Sequence, residues 1–215
     1  MCVDSGVGRL GAGVSPEEVP IRQAASILVI DDRPDLHVLI GRRRLSSGFV
    51  PGMVVFPGGA VDDTDRSPEA RRIVPSADIN GVDTEAAAAL LHAGLRETSE
   101  EVGLWVGGPT PVDPASIPHV GWWLTPLGAP RRYDTHFFVA RYGGGEVVPD
   151  RMELTAAWWE RPGDVLHRID TGELDAIFPT IEFLKALARH ESVESVLRAA
   201  GAVRSIEQEN GWVSL

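Results

Sequence analysis

Cysteine is nearly missing from this chain. Cys2 stands alone, so no intramolecular disulfide can form and no cysteine-rich zinc site can be built. Long apolar runs are missing too: the longest, such as 27–30 and 86–91, fall far short of a bilayer's thickness, and no membrane association is expected. The first twenty residues lack the basic start and apolar core of a secretion signal. They are rich in Gly, with Ser and Pro, and read as a mobile tail over 1–20. A reducing cytoplasm is the expected compartment. Positive charge is in deficit, with a net charge of −11. An acidic body repels phosphate polyanions, which excludes a general nucleic-acid or membrane-surface binder. A small anionic substrate stays open only where metal ions and a few arginines reverse the sign locally. The six histidines show no metal-ligand spacing, and there is no internal repeat.

What remains is an ordinary globular composition in 215 residues, enough for one domain with a buried core. The runs 26–30 and 37–40 are short and β-branched, separated by Asp31-Asp32-Arg33-Pro34-Asp35: strand, turn, strand. Residues 53–56 give a third strand, closed by Pro57-Gly58-Gly59. The aspartate-rich stretch 62–83 keeps no steady period and reads as a long loop with room for one short helix. Thr84 to Val102 is the clearest helix, with Asp83 or Thr84 to cap its start and Gly103 where a left-handed terminus belongs. Strands are expected over 120–125, 133–142 and 154–160, and helical patterns from Pro162 onward. Strands flanking a central helix, with helices at the end, indicate a mixed α/β (α+β) layer fold.

The informative stretch is Arg96-Glu97-Thr98-Ser99-Glu100-Glu101-Val102-Gly103-Leu104. At about 100° per residue, Glu101 lies about 40° from Glu97 and Glu100 about 60° to its other side, so the three carboxylates share one face. Leu91, Leu95, Thr98 and Val102 form an apolar stripe elsewhere on the helix. The helix can therefore dock on a sheet and still hold its carboxylates over a cleft, with Arg96 bordering the acidic face. Three converging glutamates repel one another and raise each other's pKa. A magnesium or manganese ion removes that cost and prefers oxygen ligands. Taken alone, the same spacing also suits a solvated acidic helix face.

Together with Phe56-Pro57-Gly58-Gly59, this stretch resembles the Nudix box, Gly-x5-Glu-x7-Arg-Glu-U-x-Glu-Glu-x-Gly-U, where U is apolar. The second half fits from Arg96 to Leu104, with Thr98 at the first U. The first half departs from it. Gly59 precedes Arg96 by 37 residues instead of 14, an insertion of 23, and Ala88 stands where the box has its first Glu. Glu85 or a loop aspartate could replace that Glu. The run from Phe49 to Gly59, the insertion, Trp123-Leu124-Thr125-Pro126, the segment from Arg131 to Phe138, Glu153 followed by Trp158, and Phe178-Pro179-Thr180 are together similar to the Nudix motif 19 (RP2-type) branch. That branch is associated with coenzyme A diphosphate hydrolysis. The related coenzyme A signature wants an Arg where this chain has Gly48.

The resemblance implies a Nudix fold: a mixed β-sheet between helices, spanning 21–190, with the insertion at about 62–83 and a helical extension over 191–215. It implies Mg²⁺ or Mn²⁺ held by Glu97, Glu100 and Glu101, with the Gly59 carbonyl beside it and Glu97 a candidate to activate water. The substrate class is a nucleoside diphosphate linked to another moiety: coenzyme A or an acyl-CoA first, then ADP-ribose or an NADH-type dinucleotide. A ligand-sensing module without turnover is the third alternative. A homodimer is a family-level expectation.

Substrate contacts are sought at Arg131 and Arg132, since a guanidinium fork suits phosphate. Strand alternation would let Arg132 and Asp134 face the ligand together; the competing reading is a surface charge pair. Among Arg42, Arg43 and Arg44, one facing the cleft is Arg44 in this reading. Glu153 is a further carboxylate, as ligand or base. Of Trp122-Trp123 and Trp158-Trp159, at most one of each pair can line a pocket.

Overall fold

In strand β1 (Ile21–Asp32), Ile27 and Val29 face one way, Leu28 and Ile30 the other, and all four are fully buried. A strand apolar on both sides must be covered on both, so the sheet lies between two helical layers. The computed structural model describes residues 19–46, 50–202, 204 and 206–215. The expected tail lies outside the described residues as far as residue 18, as do Gly48 and Phe49.

The remaining strands are β2 (Leu36–Arg43), β3 (Val54–Val55), β4 (Gly58–Ala60), β5 (His119–Leu124), β6 (Arg132–Arg141), β7 (Leu154–Glu160), β8 (Ile206–Gln208) and β9 (Gly211–Val213). The main path runs β3-β2-β1-β6-β5-β9-β8, with β4 paired to β1 and β7 to β2. Among the described strands β1 and β6 run parallel and the other pairs antiparallel, so the sheet is mixed. Helix α1 spans Pro68–Ile73, α2 Thr84–Val102, α3 Pro162–Asp170, α4 Phe178–Leu187 and α5 Val193–Ala199. α2 covers one face, packing Leu90, Leu91 and Leu95 on Ile27, Leu39 and Phe138. α3, α4 and α5 cover the other, with Phe183, Leu187 and Val196 on Leu28, Ile40 and Val139.

One departure from regularity positions the site. β1 and β2 pair only near their turn, Ile30 with Val38 through Asp32 with Leu36. Beyond that they part, and the 54–60 segment fills the gap: β3 pairs with Gly41 and Arg42 of β2, then β4 pairs with Ala24–Ser26 of β1. Phe56 and Pro57 cross between the parted strands, and Ile27 N–H donates to the Pro57 carbonyl at 2.9 Å. α2 lies close above. At Gly94 a Cβ would come within 2.9 Å of Ile27 Cδ1, so the glycine permits the approach.

The insertion carries the one short helix its sequence allowed, together with a turn: a 3₁₀ turn (Asp63–Arg66) capped by Asp62 runs into α1, capped by Ser67 with Pro68 in its first turn. Val74, Ala77 and Ile79 then bury against α2. The C-terminal extension is not all helical. After α5 comes the β8–β9 hairpin, and β9 pairs with β5, burying Val213. An edge strand left at β5 would expose unpaired backbone groups, which the hairpin covers. Among the described residues no helix is long and apolar enough to cross a membrane.

Candidate active site

α2 begins and ends where local chemistry dictates. The Asp83 carboxylate accepts from the N–H groups of Glu85 and Ala86, and Gly103 closes the helix at φ 73°. The last two turns deliver Glu97 and Glu101 to the gap between β1 and β2. Glu101 is buried, and its Oε2 accepts from Gly58 N–H at 2.9 Å. Its other oxygen, Oε1, is buried without a partner. Burial pushes the Glu101 carboxyl up to about 8; the Gly58 N–H pulls it back, while the charge of Glu97 adds to the rise. Glu97 lies against Gly59, where a Cβ would stand 2.4 Å from its carboxyl carbon. Burial raises its pKa as well, against the pull of Arg96. Glu100 is the exposed member of the trio.

Arg96 is committed at every N–H. Nη1 donates to Glu97 and to Glu100, each at 3.0 Å. Nε and Nη2 donate to the two oxygens of Asp65, each at 3.0 Å, and Nη2 also reaches the Ala60 carbonyl at 3.2 Å. Asp65 comes from the insertion, is fully buried and also meets His92 Nδ1 at 2.7 Å. Burial alone would raise its carboxyl; the hydrogen bonds of His92 and Arg96 overcome that and lower it to about 2. Sequence reasoning allowed Glu85 or a loop aspartate in place of the glutamate absent at Ala88. Glu85 is engaged with Arg71 at 2.8 Å; of the loop aspartates, Asp65 takes Nε and Nη2 of Arg96, and Asp62 Oδ2 lies 3.7 Å from Nη2. The one local partner of Asp65 is Asp62, three residues back in a capping box; the partners that tie it to the site lie 27 and 31 residues away.

A cleft of about 390 Å³ opens over this cluster, lined by Gly58, Gly59 and Glu97, by Arg43 and Glu153, and by Arg22, Arg131 and Tyr133. Arg43 Nη2 is 3.6 Å from Glu153, and the Glu153 charge acts on both Glu97 and Glu101. The side chains of Arg22 and Arg131 are exposed and have no ion pair or hydrogen bond among the described residues.

Two of the expected substrate contacts lie elsewhere. Arg44 is exposed, with Nη1 at 3.5 Å from the Arg151 carbonyl, and Arg43 takes the cleft position. Plain alternation along β2 explains the choice: Leu39 is buried on the α2 side, and Gly41 and then Arg43 follow on that side, while the extra residue of the β2–β7 pairing, Thr155, lies on β7. Arg132 is buried, donating from Nε to the Thr125 carbonyl at 3.1 Å. On β6 the cleft-lining set is Tyr133, Thr135 and Phe137, following Arg131. Asp134 instead accepts from Trp122 Nε1, and His136 meets His119. Trp123 lines the cleft, edge-on to Phe178 with ring centroids 5.4 Å apart; Trp158 and Trp159 pack against the two cores.

Among the described residues no three carboxylate, imidazole or thiol groups already stand together as a metal-holding set; Glu97 and Glu100 are both turned onto Arg96. The donors nonetheless suit a hard divalent cation. They are carboxylate oxygens, and the buried, partnerless Glu101 Oε1 is the atom such a cation would satisfy.

No family model matches the chain. An uncharacterized Nudix hydrolase, NudL, of Cronobacter sakazakii is 35% identical over 83 residues, 39% of this chain. The match spans 32% of that protein, so the chain covers about a third of the curated relative's length. The crystal structure of a Nudix hydrolase from Alicyclobacillus acidocaldarius superposes with a TM-score of 0.75 at 31% identity, covering 85% of this chain and 98% of the other. The Nudix domain of Shewanella oneidensis NrtR, solved with ADP-ribose, gives a TM-score of 0.51 at 16% identity over 83% of this chain and 92% of its own, a likeness of fold alone.

Proposed function

The chain belongs to the Nudix hydrolase family, and from that premise we propose that it hydrolyses the diphosphate of a nucleoside diphosphate linked to another moiety. One observation carries the reading: the acidic end of α2, with its partnerless buried oxygen on Glu101, opens onto a cleft that also holds arginines. Glu97, Glu100, Glu101 and Gly59 would hold Mg²⁺ or Mn²⁺, which when bound neutralises charge on the diphosphate and lowers the pKa of a water. Arg43 and Arg131 hold phosphate oxygens and orient the chain of the substrate. Glu153, whose charge acts on Glu97 and Glu101, would take the proton of the attacking water, with Glu97 the other candidate. The water oxygen bonds to one phosphorus, and the bridging oxygen leaves with the other phosphate. Positioning and electrostatics supply most of the rate.

Coenzyme A or an acyl-CoA is the leading substrate within this class, in keeping with the motif 19 resemblance. Arg22 and Arg131 support it, because two arginines without partners at one cleft suit an anionic group beyond the diphosphate. The products would be an adenosine bisphosphate and phosphopantetheine or its acyl form. ADP-ribose and NADH-type dinucleotides lack such a group. A sensing module without turnover has less support, since all three carboxylates of the helix are present.

A panel of coenzyme A, ADP-ribose and NADH, each with Mg²⁺ and Mn²⁺, tests the reading by release of a monophosphate. Metal-dependent turnover, fastest with coenzyme A, is expected. Faster turnover of ADP-ribose or NADH moves the substrate assignment. Binding without turnover of any compound points to the sensor, and neither binding nor turnover across the panel removes the hydrolase reading.

A further inference from the structure

The α2 position where the box carries its first glutamate is Ala88, buried in the apolar core. An acidic group nevertheless reaches Arg96 from outside the helix. Asp65 arrives on the 3₁₀ turn of the insertion, held by a reciprocal cap in which its Oδ2 accepts from Asp62 N–H at 2.9 Å. Its four acceptor contacts are then complete: Asp62 N–H and Arg96 Nη2 on Oδ2, His92 and Arg96 Nε on Oδ1. A fully buried carboxylate is costly unless every lone pair is engaged, and here all are.

The geometry gives Asp65 leverage on the acidic face. Its two oxygens take the Nε–Nη2 edge of the guanidinium, which fixes the plane of the fork. Only Nη1 is left for Glu97 and Glu100, and it binds one oxygen of each. Each glutamate thereby keeps a second oxygen that Arg96 does not occupy. Asp65 also supplies a negative charge on the Arg96 cation, so that Arg96 competes less strongly with any cation for the two glutamates.

We propose that Asp65 is a positioning residue for the metal-side carboxylates, acting through Arg96. The inference rests on the hydrolase reading and goes beyond it, because it assigns the insertion a part in setting cation affinity.

Two neutral replacements of different size, Asp65→Asn and Asp65→Ser, test this. Mn²⁺ binding is followed by electron paramagnetic resonance without substrate, kcat and KM on the preferred substrate, and thermal unfolding. The expected result is Mn²⁺ affinity weaker by about tenfold or more and kcat lower by about ten- to a hundredfold, as for other residues that orient metal ligands, with KM within about threefold. A folded variant whose Mn²⁺ affinity and kcat stay within about twofold of wild type, even with a lower Tm, makes Asp65 a structural staple and overturns the proposal. Failure of both variants to fold does the same. If the wild-type protein neither binds Mn²⁺ nor turns over any substrate, the hydrolase reading fails and takes this inference with it; wild-type binding with unaltered variants removes the inference alone.

Discussion

Gly59 lies so close against Glu97 that a Cβ on it would sit 2.4 Å from the carboxyl carbon and 2.5 Å from Oε1. The β4 backbone and the helix carboxylate therefore occupy one tight contact at the floor of the cleft. Gly59→Ala must push Glu97 aside, and a displacement of about 1 Å in such a group costs about a hundredfold in rate. We expect kcat to fall to that extent with Tm little changed. At the neighbouring Gly58, φ is +152° and a Cβ would meet the Ala25 carbonyl at 2.3 Å. Gly58→Ala should therefore lose stability, by about 1–3 kcal/mol or more. Urea titration and steady-state kinetics on the pair separate the two effects; equal behaviour of both variants would contradict this division.

Glu97→Gln, Glu100→Gln and Glu101→Gln remove the charges that the proposed chemistry needs while preserving shape. Each should lower kcat by about a hundred- to a thousandfold, as loss of a principal electrostatic group does. Circular dichroism should show the fold intact. Unchanged turnover in all three would falsify the assignment of the acidic face.

Arg43 and Arg44 are neighbours with different fates. Arg43→Ala should reduce kcat/KM by about ten- to a hundredfold, the worth of a lost charge-assisted hydrogen bond. Arg44→Ala, altering an exposed side chain, should stay within about twofold. Reversal of that order would place the register of β2 differently over the cleft.

His119 governs the acid response of the C-terminal hairpin. Its ring meets those of Phe138 and Trp212 at 5.3 and 5.2 Å, and its Nε2 lies 3.0 Å from His136 Nδ1. Burial holds its pKa at about 3; His136 lowers it further and the Gly121 backbone raises it slightly. The unfolded ring takes up a proton near 6.5 and the folded one does not, so stability is full above about 6.5 and falls as pH drops toward 3. The slope contributed by one such group is at most about 1.4 kcal/mol per pH unit. Burial lowers the pKa of His136 as well, so it adds to the loss, and Asp134, 3.7 Å from His136 Nε2, offsets only part of that. Denaturant titrations between pH 7 and 4 should show a shallower slope in His119→Gln. An identical slope would remove His119 as the cause.

By itself the sequence determined what depends on near neighbours along the chain. α2 spans Thr84–Val102 because Asp83 supplies its first acceptor and Gly103 its left-handed stop, both within a turn of the ends. β7 likewise spans Leu154–Glu160 as patterned. The shared face of Glu97, Glu100 and Glu101 follows from helical geometry alone, and the box spacing gave the family. Other features needed the folded molecule. Arg43 rather than Arg44 lines the cleft because it shares a side of β2 with Leu39, and which side α2 covers is settled only by tertiary packing. The odd-numbered side of β6 faces the cleft because the even-numbered side is taken up by Trp122 and His119 from β5. The hairpin at 206–213 forms because β5 has an edge to cover, a need invisible in its own residues. Asp65 was one aspartate among several in an irregular stretch. Only burial beside Arg96 and His92 distinguished it, since three of its four hydrogen bonds come from partners that tertiary structure brings within 3.0 Å.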